Sequence, residues 1–141
     1  METYHLSSDM DIFCVTAESF PDGIQAALDK LAHLIPTCEG RTWMGISRPD
    51  ESGKIVYKAA VVEAFPGEGA SYGCETFRIP PGEYATETIM GWREKLETIG
   101  PTFMRLLEHP QLDTNFPCVE WYRDERELLC MVRLDPSRRK A

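Results

Sequence analysis

The chain has 141 residues, 43% of them hydrophobic and 27% charged, a balance suited to one domain with a real core or to two small modules sharing one. Its formal net charge of −8 disfavours nucleic acid, whose backbone needs a basic face, and favours cations, which a negative field concentrates. No apolar run approaches the ~20 residues that span a bilayer, and Met1-Glu2-Thr3-Tyr4-His5 lacks the basic and apolar regions of a secretory signal, so we expect a cytoplasmic protein with no membrane partner.

In chain order, 11–17 reads as the first strand. A helix follows, with Ile24, Ala27, Leu28, Leu31, Leu34 and Ile35 on one stripe; Ser19 and Asp22 resemble a capping box, Pro21 fits the first turn and Pro36 stops the helix. Residues 42–47 and 55–62 read as a hairpin around the turn signal Pro49-Asp50-Glu51-Ser52-Gly53. The glycine-rich stretch 66–73 lacks a following Gly-Lys-Ser/Thr and reads as a mobile linker, not a phosphate cradle.

The second half repeats the order. Strands at 75–79 and 83–89 flank the turn Pro80-Pro81-Gly82. A helical stripe runs through Trp92, Leu96, Ile99, Phe103, Leu106 and Leu107, and Gly100-Pro101 predicts a kink or two short helices within it. The strand 116–122, the charged turn 123–126 and the strand 128–134 complete it; Arg138-Arg139-Lys140 reads as a solvated tail. Strand, helix, strand, turn, strand therefore occurs twice. The fold class is α+β: a single domain over 1–141 with antiparallel sheets, built of modules at about 10–64 and about 74–135. Two such units side by side would form a concave pocket at their junction.

On strict alternation Cys118, Glu120 and Tyr122 share one face of their strand, and Val119 and Trp121 the other. Neither face is plainly polar, so Glu120 is expected to be shielded from water, where a carboxylate needs a proton, a partner or a cationic guest. The site reading and its alternative, a rim position or an internal Arg or Lys partner, are evenly balanced on this strand alone. Trp43, Tyr57, Tyr84, Trp92, Trp121 and Tyr122 lie on elements near the expected pocket, where rings would add cation–π attraction of ~0.5–2 kcal/mol each. For Trp92 and Trp121 a core role is favoured; for Tyr57, Tyr84 and Tyr122 the pocket competes with it.

Glu63, Glu68, Glu75, Glu83 and Glu87 read as solvated charges. The five cysteines are widely spaced without a CxxC and read as reduced thiols; His5, His33 and His109 lack metal-site spacing, so neither metal nor cofactor is expected. There is no Gly-x-Ser-x-Gly elbow and no HExxH.

Arg78-Ile79-Pro80-Pro81-Gly82-Glu83-Tyr84-Ala85, a helix, and then Cys118-Val119-Glu120-Trp121-Tyr122 resemble the GyrI-like effector-binding family, as does Trp43-Met44-Gly45-Ile46-Ser47-Arg48-Pro49. The resemblance runs from about Asp11 to Leu134. It implies two strand–helix–strand–strand modules in pseudo-twofold relation, with a ligand cleft between them and the glutamate matching Glu120 at its floor, facing hydrophobic cations. Many members carry DNA-binding domains; with ten residues before the first expected strand and seven after the last, this chain leaves no room for a helix-turn-helix, so direct DNA binding is not expected.

The function implied first is binding of hydrophobic, cationic or aromatic small molecules by a stand-alone protein, as in multidrug sensing or sequestration. Glu120 would be the counter-charge, Trp43, Tyr57, Tyr84 and Tyr122 the walls, and Trp92 and Cys118 further lining. The alternative is a hydrolase of strained cyclopropanoid compounds using Glu120 and Tyr84. A third reading is inhibition of gyrase or another protein through acidic residues such as Glu83, Glu87, Glu125 and Glu127.

Overall fold

The structure, a computed structural model, describes residues 1–138; of the expected basic tail, Arg139 and Lys140 lie outside the described residues. Among the described residues, eight strands and three α-helices make an α+β fold: β1 (Glu2–Leu6), β2 (Met10–Thr16), α1 (Ile24–Leu34), β3 (Trp43–Pro49), β4 (Ile55–Val62), α2 (Glu68–Ser71), β5 (Glu75–Ile79), β6 (Gly82–Met90), α3 (Ile99–Leu106), β7 (Cys118–Tyr122) and β8 (Glu127–Arg133). They fall into two compact units, one of Asp9–Ile79 and one of Met1–Ser8 with the chain from Pro80 onward.

In the first of these the strand order is β3-β4-β2-β5, all antiparallel. The apolar stripe of α1 buries Ala27, Leu31 and Ile35 against Phe13, Tyr57, Ala59 and Val61. Burying a side chain such as Leu31 contributes ~1.5–3 kcal/mol, so this packing holds the helix where its caps do not. The expected capping box is absent: α1 begins after Gly23 with no side-chain cap, and Ser19 instead closes the preceding turn by accepting the Gly23 N–H at 3.1 Å.

The stretch 66–73 is not a linker. It holds α2, whose Gly69 packs so tightly that a Cβ there would come within 2.4 Å of Phe13 Cβ. Nor is Glu68 solvated: it is 1% exposed and takes two hydrogen bonds from Arg41, at 2.7 and 3.0 Å, one from the Ala64 N–H at 2.8 Å and one from the Tyr72 hydroxyl at 3.0 Å. A buried carboxylate so surrounded has its desolvation offset by charge and donors, which ties the segment down.

The other unit has the corresponding order β1-β6-β8-β7, also antiparallel. Here α3 packs Phe103 and Leu106 on Ala85, Ile89, Leu128, Cys130 and Val132. The first strand of the chain is therefore β1, ahead of the strand expected at 11–17; it pairs with β6 as Tyr4↔Tyr84. Likewise β5, read from sequence with the second half, is hydrogen-bonded to β2, with Met10 opposite Ile79.

Gly100 and Pro101 do not kink a helix; they lie in the first turn of α3, where a missing N–H has no intrahelical acceptor to lose. The residues before it, 92–94 and 96–98, form two 3₁₀ turns instead of continuing the helix. Among the described residues no helix is long and apolar enough to cross a membrane.

Candidate functional site

Strand β7 positions the site. It is antiparallel to β8 with Glu120 opposite Cys130 and Tyr122 opposite Leu128. Alternation puts Cys118, Glu120 and Tyr122 on the face covered by α3, where Cys118 and Tyr122 pack against its core. Glu120 is 8% exposed, and the Tyr122 hydroxyl donates to its Oε1 at 2.5 Å. That bond joins residues two apart on one strand, so it follows directly from the two-residue side-chain period. It replaces part of the hydration the carboxylate loses on burial, and it adds no charge.

The field of Glu120 is felt by both neighbouring thiols. Burial first, and then the Glu120 charge, push the Cys118 thiol up to about 11. Cys130 is pushed up to about 12 by burial, then Glu120, then Glu87 and Cys118. Both therefore stay protonated at neutral pH and act as small apolar wall groups.

Trp92 closes the group. Its ring meets Tyr122 edge-to-face with centroids 4.7 Å apart, and its Nε1–H donates to the backbone oxygen of Asp124 at 3.2 Å. The Arg93 guanidinium lies 4.8 Å over the same indole. Of the residues singled out in the sequence, this structure thus brings Cys118, Glu120, Tyr122 and Trp92 together.

Tyr84 stands elsewhere. It is fully buried opposite Arg133, on the other face of the same sheet, and its hydroxyl donates to the Pro80 oxygen at 2.6 Å. Burial raises its phenol above the usual range despite the nearby Arg133. The tyrosine adjoining Glu120 is Tyr122. On that opposite face Trp121 meets Tyr4 at 5.9 Å and carries Arg123 at 4.7 Å. Trp43 and Tyr57 belong to the other unit, against the α1 core; Tyr57 is 4% exposed and stacks on Phe20 at 5.8 Å.

Sequence reasoning missed the paired acids. Glu87 is bridged by Arg105 at 2.9 Å, which holds its carboxyl below the usual range; Glu75 is bridged by Lys58, and Glu83 accepts from His5 at 2.9 Å. Glu63 accepts the Gly69 N–H at 2.8 Å. Only the His5–Glu83 pair follows from strand register; Arg105 reaches Glu87 from α3, and Lys58 and Glu75 lie on β4 and β5, which flank β2. Among the described residues no group of three or more His, Cys, Asp or Glu is placed to hold a metal.

No family model matches the chain, and no curated protein does. Solved structures do. SAV2435 bound to tetraphenylphosphonium matches over 96% of this chain and 94% of its own, with a TM-score of 0.60 and 13% identity. The integron cassette protein VCH_CASS2 from the mobile metagenome of Vibrio cholerae matches over 95% of both chains, with a TM-score of 0.64 and 10% identity. A hydrolase from Listeria innocua matches over 95% of this chain and 90% of its own, with a TM-score of 0.59 and 12% identity. At these identities the likeness shows a shared fold.

Proposed function

We propose that this chain binds hydrophobic, cationic or aromatic small molecules, with Glu120 as the anchoring charge. The observation that carries the reading is a carboxylate 8% exposed and hydrogen-bonded by Tyr122, whose own ring meets that of Trp92. A lipophilic cation gains twice there. Its charge meets the carboxylate where water screening is weak, and its apolar groups meet rings with cation–π attraction of ~0.5–2 kcal/mol each. The net charge of −8 adds long-range attraction. Tetraphenylphosphonium, the ligand bound to SAV2435, is a compound of this chemistry, which makes it the first probe.

The test is a thermal-shift titration with tetraphenylphosphonium on the wild type and Glu120→Gln. A ligand at ~100 times its dissociation constant stabilises the native state by ~2.7 kcal/mol. We expect the wild type to shift and the folded variant to shift far less; equal shifts would remove Glu120 from the role of anchor.

A second reading, hydrolysis of a strained electrophile, draws on the same hydrogen bond and on the hydrolase among the similar structures. Glu120 would take a proton from attacking water as the water oxygen bonds to carbon and the strained ring bond breaks, and would return that proton to the leaving carbon, while Tyr122, in place of Tyr84, holds the carboxylate in line. Turnover lost in both Glu120→Gln and Tyr122→Phe supports this reading; intact compound recovered from the wild type opposes it.

A further inference from the structure

We propose that Trp92 gates the Glu120 site: the strap 91–98 swings outward, lifts the indole from Tyr122 and opens a path to the carboxylate. The inference rests on the reading of Glu120 as a ligand anchor and adds how a ligand reaches it.

The strap is held weakly along its length. Its backbone bonds are the i→i+3 bonds of 3₁₀ turns: Glu94 N–H to Gly91 O at 3.1 Å, Lys95 N–H to Trp92 O at 3.0 Å and Thr98 N–H to Lys95 O at 2.9 Å. Neither turn contains a buried residue, and Leu96 is 57% exposed. Displacing the strap therefore exposes little apolar surface beyond the Trp92 ring. A low opening energy follows from sparse burial.

The strap also has a hinge and a latch. Gly91 stands at φ 68°, a left-handed conformation that glycine adopts freely, so it is the position in the strap best able to change its backbone angles. Its N–H is pinned to the Arg126 oxygen at 2.7 Å, which fixes the pivot on the β7–β8 turn. The latch is the Trp92 Nε1–H bond to the Asp124 oxygen. Asp124 is itself held, because its Oδ1 accepts the Arg126 and Glu127 N–H groups at 2.7 Å each. One end of the strap is thus a fixed pivot, and the ring is held by its hydrogen bond to a rigid turn, by its contact with Tyr122 and by packing at the margin of the α3 core. Arg93 rides on the indole and moves with it. Lifting the ring uncovers Tyr122, and behind its hydroxyl lies Glu120.

Two measurements test the gate, with Trp92→Phe as the variant because it keeps an aromatic ring and removes the latch. In ligand-free protein, hydrogen exchange at the Glu94, Lys95 and Thr98 amides is expected to run at least ~100-fold faster than in β8, and Trp92→Phe to speed it a further ~5-fold. Strap amides as protected as those of β8 overturn the gate. In stopped-flow mixing with tetraphenylphosphonium, the wild-type association rate is expected to level off with concentration at the opening rate, and Trp92→Phe to raise that plateau ~5-fold. A rate that stays linear and unchanged in the variant also overturns it. If tetraphenylphosphonium fails to bind the wild type, the anchor reading falls, and the exchange measurement still decides whether the strap opens.

Discussion

The Tyr122 hydroxyl and the Glu120 carboxylate are 2.5 Å apart on one face of β7, so one bond both fixes the carboxylate and supplies a donor that its burial requires. Replacing Tyr122 by Phe leaves a shielded carboxylate short of a donor. We expect this to cost ~1–3 kcal/mol in urea unfolding. Glu120→Gln keeps an acceptor of the same shape and removes the charge, and we expect it to fold with under ~1 kcal/mol lost. A larger loss in the glutamine variant than in the phenylalanine variant would mean the charge itself supports the fold.

Tyr84 provides the control. Its hydroxyl is bonded to Pro80 O at 2.6 Å on the opposite face of the sheet. Tyr84→Phe should destabilise by ~1 kcal/mol through that buried bond and leave tetraphenylphosphonium affinity within twofold of the wild type. An affinity loss of tenfold or more, measured by calorimetry, would return Tyr84 to the site.

These two tyrosines show how far the sequence could be read. The alternation in 118–122 was enough to group Cys118, Glu120 and Tyr122, because a period of two needs no partner strand. Placing Tyr84 needed the β6–β8 register, which a single sequence does not encode locally. The missed β1 has a related cause: Glu2-Thr3-Tyr4-His5-Leu6 is largely exposed, and a mostly solvated strand needs little of the hydrophobic pattern used to find one. Of the helical stripe expected from Trp92 to Leu107, Phe103 and Leu106 are buried while Leu96 and Leu107 are exposed, and helical spacing did not distinguish two 3₁₀ turns from an α-helix. Glu68 looked solvated because its partner Arg41 lies 27 residues away.

That ion pair sets an acid limit on stability. Burial alone would raise the Glu68 carboxyl, yet hydrogen bonds from Arg41, the Ala64 N–H and Tyr72 hold it below its usual 4.5. With the folded value depressed, the stabilisation is complete above the unfolded pKa and disappears as pH falls through the folded one. Arg41→Met strands a buried charge, so we expect it to cost ~3–5 kcal/mol at pH 7 and to flatten the stability loss below pH 4.5. Urea midpoints at pH 7, 4.5 and 3 for both proteins check this; an unchanged acid slope would place the limit at other carboxylates.

The cysteines report the Glu120 charge without any ligand. Folded pKa values of about 11 for Cys118 and about 12 for Cys130 lie above the ordinary 9.0, so the protonated thiols stabilise the fold below pH 9, and that contribution is lost as pH rises through 9 toward 12. At pH 8.5, iodoacetamide should alkylate exposed Cys38 first and leave buried Cys14 and Cys130 untouched in the folded protein. Cys118 is half-buried, and the second cause of its raised pKa is Glu120. Glu120→Gln removes that charge, the thiolate fraction rises, and Cys118 should alkylate faster than in the wild type while Cys38 keeps its rate. Peptide mass mapping of a time course separates the two sites. Equal acceleration at both would signal general loosening of the fold. Acceleration confined to Cys118 would identify a carboxylate that is ionised in the ligand-free protein, as attraction of a cation requires.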